Sequence, residues 1–215
     1  MSERVKNHCD RVCRILAVSL LVLLSACGTS SPASRATPAR IEVQEQVGFT
    51  IIEEARVSNE ARLDYDEAQR HLRQGDLQRG IQILNAVAED SPQLAAPRID
   101  LGIARHLEGD LEAAENNLLQ ALELNPGHPI ALNELGIVYR KTGRFAEARR
   151  SYEAALATYP GYHYARRNLA VLCDLYLADL NCALDNYQAY MATVPGDDEA
   201  TMWIADLRNR TGQGE

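Results

Sequence analysis

Five cysteines and five histidines are the residues in this 215-residue chain best suited to chemistry, and their spacing argues against catalysis. The histidines are His8, His71, His106, His128 and His163. No pair stands in a His-x-x-x-His arrangement and no Cys-x-x-Cys occurs, so no metal site is expected. Ser151 lacks the flanking glycines of a nucleophile elbow. Carboxylate pairs such as Glu112 and Glu115 fit the solvated face of a helix, and there is no glycine loop to cradle a phosphate. The expectation is a non-enzymatic protein with no cofactor and no small-molecule substrate. A formal charge of −8, from 22 basic and 30 acidic residues, argues against nucleic-acid binding, which needs a basic footprint. What remains for the cysteines is attachment or cross-linking.

The first residues read as an address. Arg4, Lys6, Arg11 and Arg14 precede a short apolar run, Ile15 to Leu24. A membrane-spanning helix needs about 20 such residues, so the run suits a secretory signal peptide better than an anchor. Leu24-Ser25-Ala26-Cys27 follows it directly and resembles the lipobox of bacterial lipoproteins. That resemblance implies cleavage after residue 26 and acylation of Cys27 on its thiol and its new amine. Gly28, in place of the aspartate that commonly holds such proteins in the inner membrane, implies the outer membrane, facing the periplasm. Several acyl chains make a stable anchor, where one would be marginal. Residues 27–40 then form a lipidated tether. Its stretch Thr29 to Arg40 is small, polar and proline-containing, and spans at most about 40 Å.

Cleavage removes Cys9 and Cys13 and lipidation uses Cys27, which leaves Cys173 and Cys182. In an oxidising compartment such a pair can form a disulfide, and two buried, unpaired thiols are the alternative.

The elements that position these residues repeat. Gly75, Gly109 and Gly143 are 34 residues apart, as are Pro92, Pro126 and Pro160, and Leu101, Leu135 and Leu169. Leu132-x-x-Leu135-Gly136-x-x-Tyr139, Ala148-x-x-x-Tyr152 and Pro160 resemble the tetratricopeptide repeat, a helix–turn–helix unit. The resemblance implies an all-α solenoid of about four repeats, at 61–94, 95–128, 129–162 and 163–197, with a capping helix at 198–211. Small residues at Ala68, Gly102, Gly136 and Ala170 should let Ala114, Ala148 and Ala183 of the partner helices approach; Gly80 replaces that alanine in the first repeat. The fourth repeat has one residue more and no glycine in its turn, Leu177 to Asn181. Ala200, Trp203, Ile204 and Leu207 share one face of the last helix, with Trp203 read as a packing residue in preference to a ligand platform. Residues 41–60 read as an N-terminal cap. Val47 to Ile52 is extended, Glu53 to Val57 suits a helical turn, and Ser58 or Asn59 suits a helix cap.

In this family the first helices line a concave face that usually binds an extended peptide or a helix of a protein partner. The inward positions here include Tyr65, Ile99, Ile103, His106, Asn133, Ile137, Arg140, Lys141, Tyr164 and Arg167. The middle of that face is apolar. Arg140, Lys141 and Arg167 are either a receptor for an acidic segment or ordinary solvated charges, and they depart from the carboxylate clamp of chaperone-binding repeats. The chain is similar to repeat lipoproteins of pilus assembly, which help secretin rings to form, and of TonB-type energy transduction. It is expected to be an adaptor for such an envelope machine. The alternative is an accessory binding module for cell-wall (peptidoglycan) enzymes.

Overall fold

The computed structural model describes residues 40–44, 48–52 and 57–213. The leader, Cys27 and the tether before Arg40 lie outside the described residues. So do Val47 and Glu53 to Arg56 of the expected cap.

A β-hairpin opens the described chain, in strands β1 (Arg40–Gln44) and β2 (Gly48–Ile52). The two are antiparallel, with Ile41 opposite Ile51 and Val43 opposite Phe49. The extended reading of the stretch up to Ile52 agrees with β2. Arg40, read as the end of the tether, is instead the first residue of β1. Val57, read as part of a helical turn, is not helical.

Helices account for the rest: α1 (Asn59–Arg73), α2 (Leu77–Asp90), α3 (Ala96–Glu108), α4 (Leu111–Leu124), α5 (Pro129–Lys141), α6 (Phe145–Thr158), α7 (His163–Leu175), α8 (Leu180–Thr193) and α9 (Asp198–Arg210). Each packs on the next, and α3 also touches α5, as α5 touches α7. This is the all-α solenoid implied by the 34-residue period, preceded by a short hairpin. No described helix is long and apolar enough to cross a membrane.

The local chemistry of the boundaries is visible in each unit. Ser58 caps α1, its Oγ accepting from the Ala61 N–H at 3.0 Å. Asp76 and Asp110 cap α2 and α4 in the same way, through Arg79 and Ala113. Gly75, Gly109 and Gly143 hold φ of 82°, 86° and 77° in the turns before the second helices, a left-handed backbone that only glycine adopts at no steric cost. The second helices stop at Asp90, Leu124, Thr158 and Thr193, two residues before Pro92, Pro126, Pro160 and Pro195, which cannot continue the ladder.

Within each hairpin, small residues set the spacing. Ala68, Ala114, Ala148, Ala170 and Ala183 are fully buried. A Cβ on Gly102 would lie 2.6 Å from Leu118, and one on Gly80 would lie 2.5 Å from Leu72. Gly80 is therefore a fitted member of the first hairpin, the space taken by Leu72 there being that of a methyl group elsewhere. The last stripe is closed by α9, where Ala200 and Leu207 are buried while Trp203 and Ile204 pack partly covered against the core. Trp203 lies 5.1 Å from the Tyr187 ring, in a packing role.

The longer fourth turn uses Ala178 where the others use glycine, at φ 53°. For a residue with a Cβ this conformation costs about 1–2 kcal/mol. Ala178→Gly is expected to stabilise the protein by about 0.5–1 kcal/mol after the greater flexibility of unfolded glycine is subtracted. Thermal unfolding should show a rise of about 1–4 °C; an unchanged or lower midpoint would mean that the turn is held without strain.

Candidate functional site

The first helices α1, α3, α5 and α7 carry the residues assigned to the concave face. Three of them meet around one cavity. Tyr65, Ile99 and Ile103 line a groove of about 270 Å³ together with Ala96, Asp100, His128 and Ile130. Ile99 is buried, whereas Tyr65 and Ile103 are half-buried, so the groove has an apolar floor reachable from its mouth.

Asp100 lies in the wall of this groove. Tyr65 Oη donates to its Oδ2 at 2.5 Å, and Gln69 Nε2 donates to the same oxygen. Burial raises the carboxyl pKa above its ordinary value, and the Tyr65 and Gln69 hydrogen bonds oppose that rise. One repeat further on, Asn133 is buried and donates through Nδ2 to Glu134 Oε1 at 3.0 Å. Asn133 Oδ1 accepts from Asn168 Nδ2 at 2.9 Å. Burial pushes the Glu134 carboxyl upward as well, against the Asn133 hydrogen bond. His128 caps α5 at the edge of the groove, with Nδ1 accepting from the Ala131 N–H at 3.3 Å.

The other edge of the face, at the C-terminal ends of the first helices, is basic. Burial first, then the charges of Lys141 and Arg140, hold the His106 imidazole below its usual pKa. Arg140 donates from Nη1 to Tyr176 Oη at 3.4 Å and lies 5.7 Å from the centre of that ring. Lys141 is exposed, and Ile137 is half-buried beside this edge on α5. Arg167 does not join them. Its Nη2 lies 3.5 Å from Glu199 and its guanidinium 5.3 Å from the Trp203 ring centre, so it ties α7 to α9. Tyr164 is exposed on α7, its ring 4.1 Å from His163. The sequence spacing groups Arg167 with Arg140 and Lys141; the structure splits that group.

Asp100, Glu134 and Asn168 are missing from the inward set drawn from the sequence. All three occupy the sixth place of their repeats, next to the fifth-place residues Ile99, Asn133 and Arg167. Two of the hydrogen bonds that expose this place, Tyr65 to Asp100 and Asn168 to Asn133, join residues 35 apart. A search for polar pairs at one residue more than the repeat length would have found them.

Cys173 and Cys182 are joined by a disulfide, with Cα atoms 5.9 Å apart, between the end of α7 and the start of α8. Among the described residues, the one grouping of metal-ligand type is Cys173, Asp179 and Cys182, and its two sulfurs are bonded to each other. A larger hollow, about 540 Å³, opens beside Cys182. Arg149 pairs there with Glu153 at 2.8 Å and Asp179 at 3.1 Å, Arg166 donates to the neutral Asn186 amide at 3.1 Å, and Asp185 is exposed to water. The groove at Asp100 is the better candidate because its carboxylate is withdrawn from water with no such partner among the described residues.

Comparison with known proteins gives a consistent picture of the scaffold. A family model described as a tetratricopeptide repeat matches residues 65–129, 100–163 and 133–175. A solved structure of MamA, residues 41 to the end, from Desulfovibrio magneticus RS-1 superposes with a TM-score of 0.64 at 23% identity, covering 74% of this chain and 89% of that one. A structure of PilF from Pseudomonas aeruginosa gives 0.65 at 19% identity, covering 72% of this chain and 71% of that one. At these identities the likeness concerns the fold. A probable UDP-N-acetylglucosamine–peptide N-acetylglucosaminyltransferase, SPINDLY, from Solanum lycopersicum is 31% identical over 90 residues. Those residues are 42% of this chain and 10% of the relative, so the chain spans about a tenth of that protein's length.

Proposed function

Since the chain belongs to the tetratricopeptide repeat family, we propose that it is a lipid-anchored adaptor of the outer membrane, facing the periplasm, whose concave groove holds a segment of a protein partner. The observation that carries this reading is the groove between α1, α3 and α5. Its floor is apolar and its walls carry oriented polar groups. The anchor rests on Leu24-Ser25-Ala26-Cys27 and its place behind the short apolar run. The machine served is proposed to be one of pilus or secretin assembly, or of TonB-type energy transduction, on the resemblance of the address and the repeats to those lipoproteins.

The disulfide fits an oxidising compartment, where such bonds persist. The fold is one that typically works as a non-catalytic scaffold, and the polar groups of the groove are arranged to bind.

A photo-reactive amino acid in place of Ile103, in intact cells, is expected to give a discrete adduct with one envelope protein. The same substitution at Asn116, exposed on the second helix α4, should give none. With Cys27→Ser the precursor should stay uncleaved and the adduct should be lost or much reduced. Equal adducts from positions 103 and 116 would remove the groove from the account. Normal processing and outer-membrane fractionation of the Cys27→Ser variant would remove the anchor.

A further inference from the structure

We infer that the groove, continued along the concave face to the next repeat, takes a polyproline-II-like segment of the partner with two cationic side chains, lysine or arginine, three residues apart, one seated on Asp100 in the groove and the next on Glu134 one repeat beyond it. The inference rests on the adaptor reading and specifies what that groove recognises.

The two carboxylates lack counter-charges. Asp100 is bonded by Tyr65 and Gln69, and Glu134 by Asn133, all neutral donors. No described Lys, Arg or His forms an ion pair with either. Elsewhere in the array, several carboxylates that link elements do have such partners. Glu115 meets Arg144 at 2.7 Å, Asp179 meets Arg149 at 3.1 Å, and Asp174 meets Arg210 at 2.9 Å. Withdrawing a carboxylate from water without a compensating cation is costly. Burial accordingly pushes both carboxyl groups toward the protonated form. An incoming ammonium or guanidinium would supply the missing charge, and Ile99, Ile103 and Ile130 would cover the aliphatic stem of a lysine.

The spacing follows from the repeat. Asp100 and Glu134 hold the same place in successive units, on α3 and α5, which pack directly on each other. Helices in contact lie about 8–10 Å apart. A polyproline-II helix rises about 3.1 Å per residue with three residues per turn, so residues i and i+3 point the same way about 9 Å apart. A β-strand fits less well. Its same-face residues are about 7 Å apart at i+2 and about 13 Å at i+4. The places before and after are different in kind: Asp66 is exposed on α1, and the fourth repeat has Asn168. Two seats, not four, are therefore expected.

The test is selection of phage-displayed random dodecapeptides on the full chain, held in neutral detergent. Enriched peptides should carry Lys/Arg-x-x-Lys/Arg. A selected peptide should bind at least tenfold more weakly to the double variant Asp100→Asn with Glu134→Gln, and also when its cations are moved from i, i+3 to i, i+2. The double variant should melt no lower than the parent, because it removes uncompensated charge while keeping acceptors for Tyr65 and Asn133. Enrichment of acidic peptides that are lost on Lys141→Glu would leave the concave face a binding surface, move the site to its basic edge and overturn this inference. Enriched peptides indifferent to every groove substitution, or no enrichment, would overturn both this inference and the adaptor reading.

Discussion

Gly136→Leu is expected to cost more than about 3 kcal/mol, beyond the common range for overpacking, because nothing around the site can yield. A Cβ at position 136 would already lie 2.5 Å from Tyr152 Cε1 and 2.7 Å from its Cδ1. Tyr152 is fully buried, so the ring has no solvent to move into. Leucine adds three more carbons beyond that first collision. Its better helix propensity returns only about 1 kcal/mol. The midpoint of thermal unfolding should fall by about 10 °C. A double-mutant cycle with Tyr152→Ala should show strong coupling, since the leucine then enters the space left by the ring. Additive losses, or a parent-like melt of Gly136→Leu alone, would mean that the hairpin opens without cost.

Acidification should expose the role of His128 at the start of α5. The imidazole is buried, and burial brings its pKa down to about 4 from an ordinary 6.5. The folded protein therefore holds His128 neutral where the unfolded chain has already protonated it. Above about pH 6.5 neither state carries the proton, and the group adds no pH dependence. Between about pH 6.5 and 4 the unfolded state binds more protons, so stability falls as pH falls. The loss levels off below about 4, at about 3 kcal/mol in all. His128→Asn keeps a capping acceptor for the Ala131 N–H but cannot titrate. Denaturant unfolding should show a gap between parent and variant that shifts in favour of the variant by about 3 kcal/mol from pH 7 to pH 4. A gap independent of pH would mean that the folded state protonates His128 as readily as the unfolded chain.

The scaffold was legible because it repeats. Glycine, proline and leucine each recur at 34 residues, and each has one physical role: left-handed turn, helix stop, buried contact. The groove was only half legible. Ile99 and Ile103 follow from periodicity, but Asp100 and Glu134 do not, because an acidic residue beside an apolar one on a helix usually faces water. The setting of Asp100 depends on Tyr65 and Gln69 of the neighbouring first helix, which its own repeat does not contain, whereas Glu134 is bonded by Asn133 of its own helix. The fate of Arg167 was illegible for a related reason: Glu199 and Trp203 lie on the capping helix, outside the periodic pattern. Ala178 was hidden by its own identity. The sequence shows a missing glycine and an extra residue, and only the backbone shows that alanine takes the left-handed place.

The contacts of the last hairpin bear on how such an array can change its length. The disulfide joins α7 to α8, Arg167 joins α7 to Glu199 and Trp203 of α9, and Arg210 of α9 returns to Asp174 of α7. These ties hold the three helices together as a terminal piece, which Asn133, Arg140 and Arg149 of the third unit join to the rest of the array. The second and third units have no such lock, and each meets its neighbours through the same kind of surface. Gain or loss of one internal unit, at 34 residues a step, would preserve the phase of every stacking contact that follows. Loss of the fourth unit would remove the disulfide together with Arg167 and Asp174, the partners that α9 holds on α7. Variation in the reach of the groove is thereby directed to the interior of the array, while its C-terminal end is inherited whole.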